Sequence, residues 1–273
     1  MMIRCDVRGV RRKPPDLHNR ARRVTQLTLA LTAVLLFPSV SFAQVKVIIS
    51  GGFTAAYREL LPEFERTTGV SVTTTSGGSV GNGPNTIGAQ VRRGVAADVI
   101  ILAREGLKDL IDEGRIVRGT DVDLARSVIG MVVRAGAPKP DINSVEALKQ
   151  TLLRAKSVAV SSSTSGVYLT TVLFPRLGIS NEMKDKISSN GAAAVGRGEA
   201  EIGLQQVSEV LAVPNVDYVG TIPDEVQYAT IYAAAVVSNS NQIDAAKRLI
   251  AFLSSEHATS PIRKSGMEPL AKK

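Results

Sequence analysis

Apolar residues in this chain come in short runs cut by small polar ones, and the runs switch between two periods. Val45-Lys46-Val47-Ile48-Ile49 reads as a strand ended by Ser50-Gly51-Gly52. Tyr57, Leu60, Leu61 and Phe64 follow at helical spacing; Pro62 is predicted to kink that helix or start a second segment, and Gly69 to stop it. Residues 70–75, β-branched at nearly every position, predict a second strand, followed by a Gly-rich loop (76–84) and a short helix (85–93). Ala97-Asp98-Val99-Ile100-Ile101-Leu102 is apolar toward both faces, the pattern of a central strand in a parallel sheet. Further helices are predicted at 105–113, at 143–155 behind a cap in Asn143-Ser144, at 166–177 and at 243–253. Further strands are predicted at 128–133, 158–160, 201–204, 216–219 and 231–237.

Strand, Gly-rich turn and helix in alternation predict an α/β fold. The order reads as two successive α/β blocks, or lobes, with no flexible linker between them. Lobe 1 takes residues 44–127 plus 231–273, and lobe 2 takes 128–230. Crossing strands near 127–134 and 227–233 form the hinge.

Residues 1–43 read as a signal peptide. Arg20, Arg22 and Arg23 precede an apolar run from Leu27 to Phe37, and Ser41-Phe42-Ala43 offers small residues where a signal peptidase cuts. That run is too short to span a bilayer as a helix. The leader changes the charge picture. A net charge of +8 over 273 residues suggests nucleic acid or an acidic membrane surface. Residues 1–43, however, hold eight Lys/Arg and two acids, which leaves +2 on the other 230 residues. No nucleic-acid partner is expected, and no membrane insertion after leader cleavage. Cys5 and His18 also fall in the leader, so 44–273 contain no cysteine and one histidine, His257. This excludes disulfides, thiolate metal sites, a cysteine nucleophile and multi-histidine sites, and no cofactor or metal is expected.

Three segments share one design: an apolar strand, then small residues, then a helix start. They are Ile49-Ser50-Gly51-Gly52-Phe53-Thr54, Ser76-Gly77-Gly78-Ser79 through Asn85, and Ser161-Ser162-Ser163-Thr164-Ser165-Gly166. Glycine lets a ligand approach the backbone, helix-start N–H groups attract anions, and hydroxyls add neutral donors. Each loop alone fits a tight turn with an N-cap; three together favour an anion site. The residues from Gly78 to Gly83 have P-loop spacing, but Pro84 and Asn85 stand where Lys and Ser/Thr are required.

Gly77-Gly78-Ser79-Val80-Gly81 matches G-x-S-x-G, and with His257 downstream it defines a secreted serine hydrolase as an alternative. Against that reading, the irregular Gly81-Asn82-Gly83-Pro84 follows the serine where a hydrolase elbow needs a helix. Arg104 and Arg126 are the cations that would anchor a small organic acid instead. Tyr168 is a candidate for the cleft wall, and Gln205 and Gln206 sit at a strand end.

With these segments in view, the chain resembles periplasmic solute-binding proteins of the molybdate/tungstate type. The resemblance rests on the leader, Ser50-Gly51-Gly52-Phe53, the stretch from Gln90 to Val99, Gly198-Glu199-Ala200-Glu201-Ile202-Gly203, residues 247–253, and Lys264 through Leu270. It implies a type II periplasmic binding fold, two Rossmann-like lobes joined by crossing strands with a ligand cleft between them, that closes on a dehydrated oxyanion held by neutral donors. Matched position by position, the donors fall at Gly52, at Ser79 or Asn85, at Ser165, at Gly191 after Asn190, and at Gln206. Two side-chain donors depart from the family pattern: Gly52 replaces a serine hydroxyl and Gln206 a tyrosine hydroxyl. Losing a hydrogen bond to a charged ligand costs ~1.5–3 kcal/mol, enough to change which ligand wins.

The resemblance implies a periplasmic monomer, without enzymatic activity, that carries a small anion to a membrane ABC permease. A sensor subunit is a further reading. The expected ligand-binding set is Ser50, Gly52, Phe53, Ser76, Gly78, Ser79, Asn85, Arg104, Ser163, Ser165, Tyr168, Asn190, Gly191 and Gln206. Since none of these groups titrates near neutrality, binding is expected to be independent of pH.

Overall fold

The computed structural model describes residues 44–270, so the predicted leader lies outside the described residues. The first part of the chain runs β1 (Gln44–Ile49), α1 (Thr54–Thr68), β2 (Ser71–Ser76), α2 (Ile87–Arg92), β3 (Val99–Ala103), α3 (Arg104–Asp112) and β4 (Val122–Ser127). The middle part holds β5 (Ile129–Arg134), α4 (Val145–Arg154), β6 (Val158–Val160), α5 (Thr164–Tyr168), α6 (Phe174–Leu177), α7 (Ser180–Met183), β7 (Ile187–Ser188), α8 (Ala193–Gly196), β8 (Ile202–Gln206), α9 (Val207–Val210) and β9 (Val216–Thr221). The chain ends with β10 (Thr230–Val236), α10 (Ile243–Leu253), α11 (Thr259–Lys264) and β11 (Glu268–Pro269).

Two mixed sheets result, a six-stranded one ordered β11-β4-β10-β3-β1-β2 and a five-stranded one ordered β7-β6-β8-β5-β9. β3 is central as expected, but it is parallel to β1 and antiparallel to β10. The chain leaves the first sheet between β4 and β5 and returns between β9 and β10.

The continuous apolar runs are explained by layers on both faces of each sheet. Val47 and Ile49 of β1, Val99 and Ile101 of β3, and Tyr232, Ala234 and Val236 of β10 pack with Phe53, Tyr57, Leu60 and Phe64 of the first turn and α1. Their alternates Ile48, Ile100, Leu102, Ala233 and Ala235 pack on the other side, against Leu107 and Leu110 of α3. The same period of two divides the second sheet: Ile129, Met131, Val158 and Val160 face one cluster, Val132 and Ala159 the other.

Three local expectations are corrected. α1 runs unbroken through Pro62, with Gly69 at φ 68° ending it. The helix predicted from Gly166 begins at Thr164 and passes through a π-helical segment, Leu169–Leu173, before α6. β4 was not predicted, because Asp123 and Arg126 interrupt its apolar pattern. It pairs with both β10 and β11.

Candidate functional site

The loops that follow β1, β2, β6, β7 and β8 converge on one cavity of about 280 Å³. Among the described residues that line it there is no Lys, Arg or His. An anion there must be held by backbone N–H groups and neutral side chains.

From the first sheet come Ser50, Gly51 and Gly52. Ser50 N–H donates to Ile101 O at 2.8 Å, which fixes the strand end, while Ser50 Oγ is buried without a partner. The chain then turns into a single helical turn at Gly51–Phe53 and on into α1, leaving its first N–H groups without helical acceptors. The second loop brings Gly77, Gly78 and Ser79. Ser79 N–H donates to Ser163 Oγ across the cleft at 3.1 Å, and Ser79 Oγ accepts from Ala103 N–H at 2.9 Å.

From the second sheet, the Ser161–Ser165 loop is tied within itself. Ser161 Oγ meets Ser165 Oγ at 3.0 Å and accepts from Gly166 N–H at 3.2 Å. Gly166 is required there, because a Cβ would lie 1.6 Å from Ser161 O. Thr164 Oγ1, at the start of α5, is buried without a partner. Two buried, unsatisfied hydroxyls around one cavity, one from each sheet, mark places where a ligand can complete the bonding.

Of the predicted set, Ser50, Gly52, Gly78, Ser79, Ser163, Ser165, Asn190, Gly191 and Gln206 line the cavity. Two of these are committed elsewhere. Gly191 N–H donates to Val160 O at 2.9 Å. Gln206, with its amide oxygen accepting from Thr230 Oγ1 (2.6 Å), donates its nitrogen to Ser127 O and Oγ and to Val128 O. It pins the two chain crossings together.

The other predicted residues lie off the wall. Phe53 is fully buried in the core against α1 and the first sheet. Ser76 caps β2, its carbonyl accepting from Gln90 Nε2, and Asn85 is exposed, its carbonyl accepting from Gly78 N–H and Gln90 Nε2. Arg104 is held by Asp121 at 2.7 Å and by Asp123, and Arg126 by Glu268 at 3.3 Å, so neither points free charge at the cavity. Tyr168 stacks on Tyr228 with ring centroids 4.8 Å apart and donates to Val226 O. His257 is exposed beside Phe252, and no histidine reaches Ser79 on the cavity wall, so the hydrolase arrangement is absent among the described residues.

Ser189 and two titratable wall residues, Glu209 and Tyr232, escaped the sequence reading. Glu209, in α9 just past β8, crosses toward the first loop, and a Cβ on Gly51 would lie 2.3 Å from its Oε1. Gln205 Nε2 donates to Glu209 Oε2 at 2.8 Å, while Gln205 Oε1 accepts from Ala192 N–H. Part of Glu209 faces the cavity, yet protein surrounds the carboxyl on most sides. Desolvation pushes its pKa above the ordinary carboxylate value, and the Gln205 bond pulls partly back.

Tyr232 of β10 is buried against Gly52, where a Cβ would collide with its hydroxyl. Burial first, then the nearby Glu209, Glu105 and Tyr228, hold this phenol well above its usual pKa. The predicted set contained neither of these two titratable wall residues. Glu209 was hidden because a lone Glu one turn past a strand looks like solvated surface; Tyr232 was hidden inside an apolar strand.

A family model described as bacterial extracellular solute-binding protein matches residues 45–268. The chain belongs to that family. The family is one of extracellular solute-binding proteins, and no helix among the described residues is long and apolar enough to cross a membrane. The chain is 41% identical over 252 residues to aconitate isomerase from Pseudomonas sp, a match that covers 89% of this chain and 96% of that protein. It is 23% identical over 252 residues to molybdate-binding protein ModA from Azotobacter vinelandii, covering 89% and 97%. The solved periplasmic molybdate-binding protein of Azotobacter vinelandii superposes with a TM-score of 0.63 at 18% identity, covering 82% of this chain and 98% of that one. This likeness shows the fold, a periplasmic binding fold of two α/β lobes.

Proposed function

We propose that this protein is an exported, monomeric aconitate isomerase, whose cleft takes the tricarboxylate and interconverts its cis and trans forms. The 41% identity extending over nearly all of both chains supports this reading. The observation that carries it is Glu209, an ionisable carboxyl on a wall otherwise made of neutral donors. A protein that only holds an inorganic oxyanion has no need of an acid–base group beside it. Interconverting aconitate without redox chemistry, by contrast, needs a group that moves a proton next to a carboxylate.

Size permits it. The cavity of about 280 Å³ admits a tetrahedral oxyanion and also has room for a six-carbon tricarboxylate. Its carboxylates would accept from Ser50 Oγ, Thr164 Oγ1, Tyr232 Oη and the N–H groups at Gly51 and Gly52, with Ser163, Ser165 and Asn190 at the rim. No arginine anchor is involved.

A second reading, passive capture of a molybdate-like oxyanion for an ABC permease, is favoured by the cation-free wall of short donors. One experiment separates the two. Purified protein is screened for thermal shift with aconitate, molybdate, tungstate and sulfate, and ultraviolet absorbance follows trans-aconitate over time. The isomerase reading expects aconitate to raise the melting temperature and its absorbance to relax to the cis/trans equilibrium. A shift with molybdate or tungstate alone, without turnover, gives the site to oxyanion capture.

A further inference from the structure

We propose that the carboxylate of Glu209 is the catalytic base that carries the proton in this isomerisation; the proposal rests on the isomerase reading above. Only Glu209 and Tyr232 bear titratable side chains on the cavity wall, and every other lining side chain is Ser, Thr, Asn, Gln or Gly. The phenol is held in its protonated form by burial and by the neighbouring carboxylates, which suits it to donate a hydrogen bond and unsuits it as a base. Glu209 remains.

Its placement fits the task. Gln205 Nε2 fixes Oε2 at 2.8 Å, which leaves Oε1 to approach the ligand at the first loop. Gly51 provides the room, since any side chain there would meet Oε1. The buried, unpartnered hydroxyls of Ser50 and Thr164 belong to residues that line the same cavity, and each can donate to a negatively charged group. Desolvation makes the carboxylate a stronger base than one in water.

The chemistry balances within the substrate. Aconitate has a methylene carbon joined to a carboxylate and to the double bond. Glu209 takes a proton from that carbon, and the C–H electron pair spreads over the three-carbon skeleton and its carboxylates. The growing charge is met by neutral donors on the wall. The Glu209 carboxylic acid then gives a proton to the far vinyl carbon, where the electron pair becomes the new C–H bond. The double bond now lies between the other two carbons, and no oxidant, reductant or second substrate takes part.

The test uses the full exported protein and Glu209→Gln, which keeps the side chain's shape and removes its basicity. Turnover of trans-aconitate and uptake of deuterium from D2O into its methylene group are read by NMR, and binding is read by thermal shift. The expected result is a loss of 100-fold or more in both turnover and deuterium uptake, with the aconitate-induced melting shift kept. Glu209→Asp should retain part of the activity with an altered pH profile, and it decides the matter if the Gln variant does not fold. Turnover by Glu209→Gln within threefold of wild type overturns the assignment and leaves the isomerase reading standing. A wild-type protein that binds aconitate without isomerising it overturns both.

Discussion

The segments that follow β6 and β8 face the same cavity with opposite chemistry. After β6, Ser161, Ser163, Thr164 and Ser165 form a neutral loop tied by its own hydroxyls, with one hydroxyl left unpaired. After β8, Gln205 and Gln206 spend their amides on the protein, and what reaches the cavity is the Glu209 carboxyl. The first wall can hold an anion at any pH, while the second repels one unless its carboxyl is protonated or in use. A binding fold needs only the first. The contrast teaches that one wall offers only neutral donors while the other brings a carboxyl to the same cavity, and it is this carboxyl that the isomerase reading uses for acid–base work.

The comparison breaks most sharply at Gly166. Gly166→Ala sets a Cβ 1.6 Å from Ser161 O, and the neutral loop must shift to admit it. A loss of about 3 kcal/mol of stability is expected by denaturant unfolding, with aconitate binding lost alongside. Next in size are the unpaired hydroxyls. Ser50→Ala and Thr164→Val should each weaken ligand binding by ~1.5–3 kcal/mol in calorimetry, with little loss of fold stability because neither hydroxyl has a partner in the free protein.

The β8 wall predicts a pH effect. Glu209 has its folded pKa raised, so its neutral form is favoured in the fold. That stabilisation is fully present below the ordinary carboxylate pKa and is lost as pH rises through the raised value. Melting temperature measured against pH should therefore fall less over that window in Glu209→Gln than in wild type. The smallest effect is expected at the two arginines outside the cavity. Arg104→Ala breaks half-buried ion pairs and Arg126→Ala an exposed one worth ~0–1 kcal/mol, and both should leave aconitate affinity unchanged. A large loss of affinity in either would return the anchor role to a cation.

Legibility in the sequence followed locality. β3, most of β10 and the Val47–Ile49 half of β1 could be read because burial on both faces makes them apolar runs, as the Ile48/Ile49 and Ile100/Ile101 alternation shows. The Ser50–Gly52 and Ser161–Ser165 loops could be read because small residues after an apolar strand have a local meaning. β4 could not, since charged Asp123 and Arg126 alternate with its buried positions. Gln206 was legible as a cavity residue but not as a hinge pin, because its partners Ser127 and Thr230 lie on separate crossings. Glu209 was not legible at all: its burial depends on Gly51, 158 positions earlier in the chain, and nothing in Ser208-Glu209-Val210 announces it.

The central claim is that this cleft does chemistry on its ligand. Proton NMR of trans-aconitate mixed with a catalytic amount of the protein tests it most directly. The account predicts that cis vinyl and methylene signals grow until many equivalents per protein have converted. A spectrum that stays entirely trans, from protein shown to be folded and to bind aconitate, would contradict it.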